Sequence, residues 1–360
     1  MTNTYDTAML VGARPNFVKV APLINYFEAN GKKVLLIHTG QHWDKAMSEN
    51  IFNDIGLREP DINLNVQSNS MNSQLGNIII DLDKATKEYS FQSLFVFGDV
   101  TSTLAGAIVA KNNNIPSFHV EAGLRSKNLD MPEERNRVMV DSICDKLFTP
   151  SQDAVDNLLS ENISKTKIVN VGNIMIDTLL ANIEKISSSP KNLLNELNIQ
   201  NKYFVVTIHR PNNLNDKNLP LIFNALKEYS NEYDIVIPAH PRLKNFLDSN
   251  YLEVNNIKVI DPLSYISFLQ LVNSSELVIT DSGGLQEETT FLNKKCLTIR
   301  EETERPITVT KGTNKIIGVN KNINIEIKNA LDTKLPKYEG IDFWDGQTSK
   351  RIYENIYGEY

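Results

Sequence analysis

The residues equipped for chemistry collect behind short apolar runs. Gly12-Ala13-Arg14-Pro15, Thr39-Gly40-Gln41-His42, Gly98-Asp99 and Glu121-Ala122-Gly123-Leu124-Arg125 each follow such a run in the first half of the chain. In the second half VVTI is followed by His209-Arg210-Pro211 and VIPA by His240-Pro241-Arg242. LVIT is followed by Asp281-Ser282-Gly283-Gly284, which leads into Leu285-Gln286-Glu287-Glu288. All five histidines lie at or beside these positions. In open parallel sheets ligands bind at the carboxyl ends of the strands, so the pattern reads as a binding site, although any one imidazole alone could be a satisfied structural group.

Each candidate has a functional and a plain reading. DSGG before LQEET is a strand-to-helix turn whose free N–H groups suit a diphosphate. It is equally a tight turn with Ser282 as N-cap. Glu288, one turn into that helix, could grip ribose hydroxyls or merely compensate the helix dipole. Arg14, Arg210 and Arg305 could neutralise phosphates or form surface ion pairs. Asp99 belongs either in the site or at the N-cap of a helix starting near Thr101. Glu121, in a Gly-containing turn after an apolar strand, is expected to be buried with its pKa pushed up, which suits proton transfer near neutral pH. Glu133 and Glu134 open a helix behind Pro132 with Arg137 one turn on, where a simple salt bridge is the plain account. Several carboxylates beside phosphate-binding cations imply proton transfer near a sugar or similar ring.

The elements that must position these groups follow an alternating order. Candidate strands are Ala8–Val11, Lys33–His38, Ser93–Phe97, Ser117–Val120, Lys146–Thr149 and Val169–Val171. Helix-like segments fall between them at Pro15–Ala29, Lys45–Ile55, Ser73–Tyr89, Thr101–Asn113, Pro132–Cys144 and Met175–Ile186. Strands apolar throughout, such as LFVF, imply a parallel sheet covered on both faces. After Ser187–Pro190 a second series begins, with strands at Phe204–Ile208, Ile235–Pro238, Ile257–Ile260, Leu277–Thr280, Cys296–Ile299 and Ile316–Val319. The junction is placed there, within about ten residues either way. The last segment, Thr348–Tyr357, has capping residues at its start and Ile352 and Ile356 one turn apart, and reads as a helix docking on something. The expected class is therefore α/β with two doubly wound, Rossmann-like domains. They are taken as 1–175 with the terminal helix 346–360, and 176–345.

Composition removes other classes. The chain has 360 residues, 41% hydrophobic and 22% charged, so two globular domains are expected and disorder is not. Its net charge of −7 has the wrong sign for a nucleic-acid footprint, and no basic block supplies one locally. No signal-peptide pattern and no run near ~18 apolar residues appears, so a cytoplasmic protein without a membrane partner is expected. Cys144 and Cys296 form no CxxC and read as reduced core thiols. No GxGxxG or GxxxxGK[ST] is present, and the His and Glu spacing does not suggest zinc. Asp81-Leu82-Asp83 lies in a helical run where the two carboxylates diverge, and reads as solvated surface.

Taken together, GARPNFVKVAPL, TGQH, GDVTSTLAGA, HVEAGLRS, MPEERNR, HRPNN, DSGGLQEET and ERP with GTN resemble the non-hydrolysing UDP-N-acetylglucosamine 2-epimerases. The resemblance runs in order from about Gly12 to Thr313 and extends to DGQTSKRI near the end. It implies two Rossmann-like domains of GT-B type with the site in the cleft between them, a final helix crossing back to the first domain, and a homodimer. It also implies roles. Asp99, Glu121 and Glu133 match acid/base carboxylates, with Arg137 beside them, and Arg14 and Lys19 fall near the nucleotide sugar. His209 matches a group helping the departing diphosphate; His240, from its place after VIPA, is taken as a further substrate-binding residue. Phe268 matches a residue packing on uracil. Ser282, Gly283 and Gly284 match the phosphate grip, Glu288 a ribose contact, and Arg305 the diphosphate side.

The chemistry implied is UDP elimination, a 2-acetamidoglucal intermediate and re-addition, which interconverts UDP-GlcNAc and UDP-ManNAc with no nicotinamide or metal cofactor. Two departures bear on substrate choice: the short segment between Leu124 and Pro132, and Ile307 after ERP where relatives usually carry an acid. The loop Trp43-Asp44-Lys45 resembles the allosteric loop of some relatives poorly, so weak or no substrate activation is expected. The rival readings are a hydrolysing relative releasing UDP and ManNAc, an epimerase for a modified UDP-amino sugar, a glycosyltransferase, and a nucleotide-sugar sensor.

Overall fold

The computed structural model describes residues 4–40, 51–239, 241–244, 246–247, 256–319, 322–335 and 338–358. Gln41, His42, the Trp43-Asp44-Lys45 loop, the first part of the expected helix Lys45–Ile55, and His240 lie outside the described residues. The chain divides into two compact units, Met1–Ala181 with Ile341–Tyr360, and Asn182–Gly340.

In the first unit the strands are β1 (Thr4–Tyr5), β2 (Thr7–Val11), β3 (Val34–His38), β4 (Ile62–Asn63), β5 (Ser90–Phe91), β6 (Leu94–Phe97), β7 (Ser117–Val120), β8 (Lys146–Thr149) and β9 (Ile168–Asn170). Seven of them form one parallel sheet in the order β4-β3-β2-β6-β7-β8-β9, while β1 and β5 pair separately. Every residue of β2, β3, β6 and β7 is buried. That is why these runs read as continuously apolar: helices cover both faces, and side chains on either side of the pleat need apolar partners. Phe95 is typical, packing against Phe27, Phe118 and Phe148 with centroids 5.0 to 6.5 Å apart.

The order reverses between β2 and β6. The chain winds outward through β3 and β4, then returns to β6 and winds the other way through β7, β8 and β9. Such a reversal leaves a crevice outside the strand ends, because the loops following the two strands part in opposite directions. The second unit repeats the device. Its strands β10 (Tyr203–Thr207), β11 (Asp234–Pro238), β12 (Ile257–Ile260), β13 (Leu277–Thr280), β14 (Cys296–Thr298) and β15 (Asn314–Ile316) form a parallel sheet ordered β12-β11-β10-β13-β14-β15, reversing between β10 and β13.

The helix Thr348–Tyr357 belongs to the first unit. Tyr353 and Tyr357 meet Phe27, on the helix Arg14–Ala29, at 5.3 and 5.8 Å, and Ile352 is buried. Its capping differs from the expectation. No side chain of its own caps it, and the buried Asp177 carboxylate accepts from the Thr348 and Ser349 amides at 3.1 and 2.8 Å.

Two other expectations are corrected. Met175–Ile186 is two helices, Ile174–Ala181 and Ile183–Ser187, interrupted at Asn182 where the chain passes from one unit to the other. The apolar period runs on through the break, so nothing local marked it. The last strand lies at Asn314–Ile316 rather than Ile316–Val319, because the backbone turns left-handed at Gly318 (φ 60°). Cys144 and Cys296 are both free and buried. Asp81 and Asp83 pair with Lys84 and Lys87 at the surface. Among the described residues no helix is long and apolar enough to cross a membrane.

Candidate active site

At the β2/β6 reversal the structure gathers the charged residues of the first unit. Asp99 stands two places past β6, and it is not a cap: the helix Thr101–Asn112 has Val100 at its N-cap. Its carboxylate pairs with Arg137 Nη1, and its carbonyl accepts from Asn136 Nδ2 at 2.8 Å. Arg137, only 1% exposed, also donates to Glu134 Oε2 through Nη2 at 2.7 Å and Nε at 3.0 Å. Glu134 further accepts the Ser126 and Lys127 amides at 3.0 and 2.7 Å. Burial works to raise its pKa, but the backbone hydrogen bonds and Arg137 hold it below the usual carboxylate value. The plain salt bridge of this helix is therefore Glu134–Arg137. Glu133, half-buried in the first turn of the helix Pro132–Ile143, pairs with neither Arg137 nor Lys19.

Glu121 is buried as expected, but it does not stand alone. Its carboxylate pairs with the equally buried Lys19. The residue sits at φ 75°, a costly region for a side chain with a Cβ. The Glu121 and Ala122 amides both donate to the Phe148 carbonyl at 3.1 Å. Gly98 (φ 65°) lies alongside. A Cβ there would stand 2.8 Å from Lys19 Nζ and 3.1 Å from Glu121 Oε2, so a larger residue would have to shift the pair as well as adopt a left-handed backbone. Arg14 opens the helix Arg14–Ala29, and Asn16 accepts the Gly12 and Ala13 amides while donating to the Phe97 carbonyl at 3.1 Å. Asn16 thereby ties the turn after β2 to the end of β6. The sequence reading missed it, although an asparagine beside a Gly-Ala-Arg-Pro turn is a standard local anchor.

At the β10/β13 reversal Asp281 is the organising group. It is fully buried and accepts from the His209 and Arg210 amides, from Asn213 Nδ2 at 3.0 Å and from His209 Nδ1 at 2.7 Å. Burial would raise its pKa, but these hydrogen bonds and His209 hold it below the ordinary value. The His209 side chain stays 46% exposed with Nδ1 tethered, which leaves Nε2 to meet a ligand. His38, by contrast, is buried, with its pKa lowered to about 4 by burial and its Nδ1 accepting from the Gly40 amide.

Ser282 does hold the N-cap position of the helix Gly283–Phe291, but its side chain makes no capping bond. Ser282 therefore satisfies none of the first-turn N–H groups with its hydroxyl. Arg305 packs over Gly283, whose Cβ would lie 3.1 Å from the guanidinium carbon. Far from a surface ion pair, Arg305 is buried between Glu304 and Glu287 (3.0 Å). Glu304 also holds Arg300 at 2.6 Å and lies 3.9 Å from Arg210. Glu288 does not compensate the dipole: it lies beyond the first turn and is buried. Burial pushes its pKa from 4.5 to about 8, against the hydrogen bond from Tyr265 and with help from Glu287. Phe268 is half-buried on the helix Tyr265–Ser274, packed against the core cluster around Val205 and Leu271.

Lys19, Asp99, Glu121 and Arg137 therefore cluster in the first unit, and His209, Ser282–Gly284, Arg305 and Glu288 line the corresponding strand ends of the second. A family model described as UDP-N-acetylglucosamine 2-epimerase matches residues 26–357. The chain is 37% identical over 369 residues to a UDP-N-acetylglucosamine 2-epimerase of Methanococcus maripaludis, covering 99% of both chains. It is 35% identical over 352 residues to a UDP-2,3-diacetamido-2,3-dideoxy-D-glucuronate 2-epimerase of Pseudomonas aeruginosa, covering 96% of this chain and 98% of that one. Its fold is similar to the crystal structure of the Methanocaldococcus jannaschii UDP-GlcNAc 2-epimerase in complex with UDP-GlcNAc and UDP. That match has a TM-score of 0.89 at 34% identity and covers 97% and 99% of the two chains.

Proposed function

The chain belongs to the UDP-N-acetylglucosamine 2-epimerase family, and from that premise we propose that it interconverts UDP-GlcNAc and UDP-ManNAc without net hydrolysis. The observation that carries this reading is the charged set at the β2/β6 reversal, where Arg137 holds Asp99 and Lys19 holds Glu121. Glycosyl transfer needs no pair of carboxylates for proton transfer at C2, whereas inverting that stereocentre does. One group must take a proton from one face of C2 and another must return one to the opposite face.

The C2 proton is not beside a carbonyl, so the C1–O bond breaks first. UDP departs with the bonding electrons, and the oxocarbenium-like C1 acidifies C2–H. A carboxylate among Asp99, Glu121 and Glu133 takes that proton, giving 2-acetamidoglucal. A carboxylic acid returns a proton to the other face of C2, and UDP adds back at C1. Charge develops on the leaving diphosphate, and stabilising such charge is usually the largest catalytic contribution. In this reading Ser282, Gly283, Gly284, Arg210 and Arg305 hold the diphosphate, and His209, oriented by Asp281, donates to it from Nε2. Glu288 binds the ribose and Phe268 the uracil, while Arg14, His240 and Lys19 act on the sugar-phosphate side. No electrons are gained or lost overall, so the cycle calls for no redox cofactor. On the same reading the enzyme works in the cytoplasm as a homodimer.

The test is incubation with UDP-GlcNAc in heavy water. Deuterium at C2 of both intact UDP-sugars is the expected result; stoichiometric release of UDP and free hexosamine would overturn it in favour of a hydrolysing enzyme. A panel of UDP-hexosamines followed by NMR sets the preferred sugar. The similarity to the Pseudomonas aeruginosa relative, two percentage points below that to the Methanococcus maripaludis enzyme, makes a diacetamido uronic acid the second substrate to try.

A further inference from the structure

Behind the first-unit cluster lies a buried polar network that the mechanism above does not use. His119, in β7, is fully buried, as is Asp141 on the helix Pro132–Ile143. His119 Nε2 lies 2.7 Å from the Gly98 carbonyl, and Nδ1 lies 2.6 Å from Asp141 Oδ1. Asp141 Oδ2 accepts the Gly123 amide at 3.0 Å and Arg125 Nη1 at 2.8 Å. Arg125 in turn donates to the Leu124 carbonyl at 2.8 Å and forks onto Glu161 with two bonds of 2.7 Å.

The two ends of this chain fall beside the proposed acid/base groups. Gly98 immediately precedes Asp99, and Gly123 closes the turn in which Glu121 is held at φ 75°. A left-handed glutamate persists only where its surroundings over-determine it, and here the Phe148 carbonyl and Asp141 take the amides on either side of the turn. A carbonyl oxygen can only accept, so Nε2 carries hydrogen. Asp141 holds the other ring nitrogen at Oδ1 while its Oδ2 takes the Gly123 amide and the Arg125 guanidinium, so both ring nitrogens are engaged.

We propose that His119 and Asp141 are positioning residues of the epimerase site: a doubly hydrogen-bonded imidazole bridge that fixes the turn bearing Asp99 relative to the turn bearing Glu121. This rests on the reading of Asp99 and Glu121 as acid/base groups. Sub-ångström placement of such groups controls the chemical step, and a misplacement of about 1 Å costs on the order of 10²-fold. The ribose and uracil contacts, which that reading places on Glu288 and Phe268, have no stake in the bridge.

The test uses the full-length enzyme with His119→Gln, which keeps a donor toward Gly98 and gives up the contact with Asp141. His119→Asn does the converse and serves if the first variant does not fold. The expected result is a fall in kcat of about 10²-fold with KM for UDP-GlcNAc and the calorimetric affinity for UDP within about threefold of the parent. Solvent deuterium exchange at C2 should fall in step with kcat. In the parent enzyme, nitrogen NMR of labelled histidine should show one buried imidazole N–H that is hydrogen-bonded and slow to exchange with solvent, and that signal should vanish in the variant. An unchanged kcat, a loss confined to KM or UDP binding, or the absence of a protected imidazole N–H overturns the proposal. Asp99→Asn separates the two levels. If it leaves turnover intact, the acid/base reading itself has failed; if it abolishes turnover while the His119 variants do not, the bridge alone has failed.

Discussion

Raising the pH through neutrality should remove stability at one buried side chain, Glu288. Glu288 is 5% exposed inside the second unit, with the Tyr265 hydroxyl donating to Oε1 at 3.0 Å. Burial, opposed by that hydrogen bond and helped by the charge of Glu287, moves its pKa from 4.5 to about 8. Between those values the folded chain keeps a proton that the unfolded chain has released, so unfolding releases a proton and stability falls as pH rises. The slope is about 1.4 kcal/mol per pH unit. From 4.5 to about 8 that sums to about 5 kcal/mol. This contribution is fully present below the unfolded value and is lost as pH climbs through the folded one.

Glu288→Gln keeps the shape and an acceptor for Tyr265 but cannot ionise. Urea unfolding of both proteins should give stabilities within about 1 kcal/mol of each other near pH 5. The glutamine variant should then gain a widening advantage, approaching about 5 kcal/mol near pH 9. Two parallel stability curves would refute the argument, because they would mean that the carboxyl never pays for its burial. The same proton bears on binding. If the ribose hydroxyls donate to Glu288, UDP favours the ionised form and releases a proton, visible as a binding enthalpy that depends on the buffer.

Three further outcomes are expected. Gly98→Ala drives a methyl to 2.8 Å from Lys19 Nζ in a left-handed backbone; thermal unfolding should show a loss of about 1–3 kcal/mol, and kinetics a lower kcat at unchanged UDP affinity. Asp177→Ala removes the acceptor for the Thr348 and Ser349 amides and the Ser349 hydroxyl; amide exchange in the helix Thr348–Tyr357 should accelerate, with a loss of about 1–3 kcal/mol. Burial pushes the Cys144 thiol up to about 12 and that of Cys296 to about 11; a disulfide reagent at mildly alkaline pH should find no reactive thiol in the folded protein and two after unfolding.

What could be read from the sequence, and what could not, divides along a physical line. Strand ends were legible because a run such as LFVF, buried on both faces, must be apolar throughout, and the glycine and charge that follow it mark where cover stops. Partners were not legible, because helical spacing leaves them degenerate. Glu133 and Glu134 stand four and three residues before Arg137, and both offsets suit a pair. The choice falls to Glu134 because the amides of Ser126 and Lys127 fold over its carboxylate, a fact of the loop and not of the helix. Lys19 and Glu121 are 102 residues apart and have no local signature at all. Asp99 could be a cap or a site residue on sequence grounds; the helix takes Val100 as its N-cap instead, and the Asp99 carboxylate meets Arg137, which arrives from another helix. His119 did carry a signal. A polar ring inside a fully buried strand must have partners for its nitrogens, so the question to ask of FHVEAG was what answers the histidine. The answer, the Gly98 carbonyl and Asp141, makes the histidine a link between the two turns that hold the carboxylates, where position along the chain suggests only a neighbour of one of them.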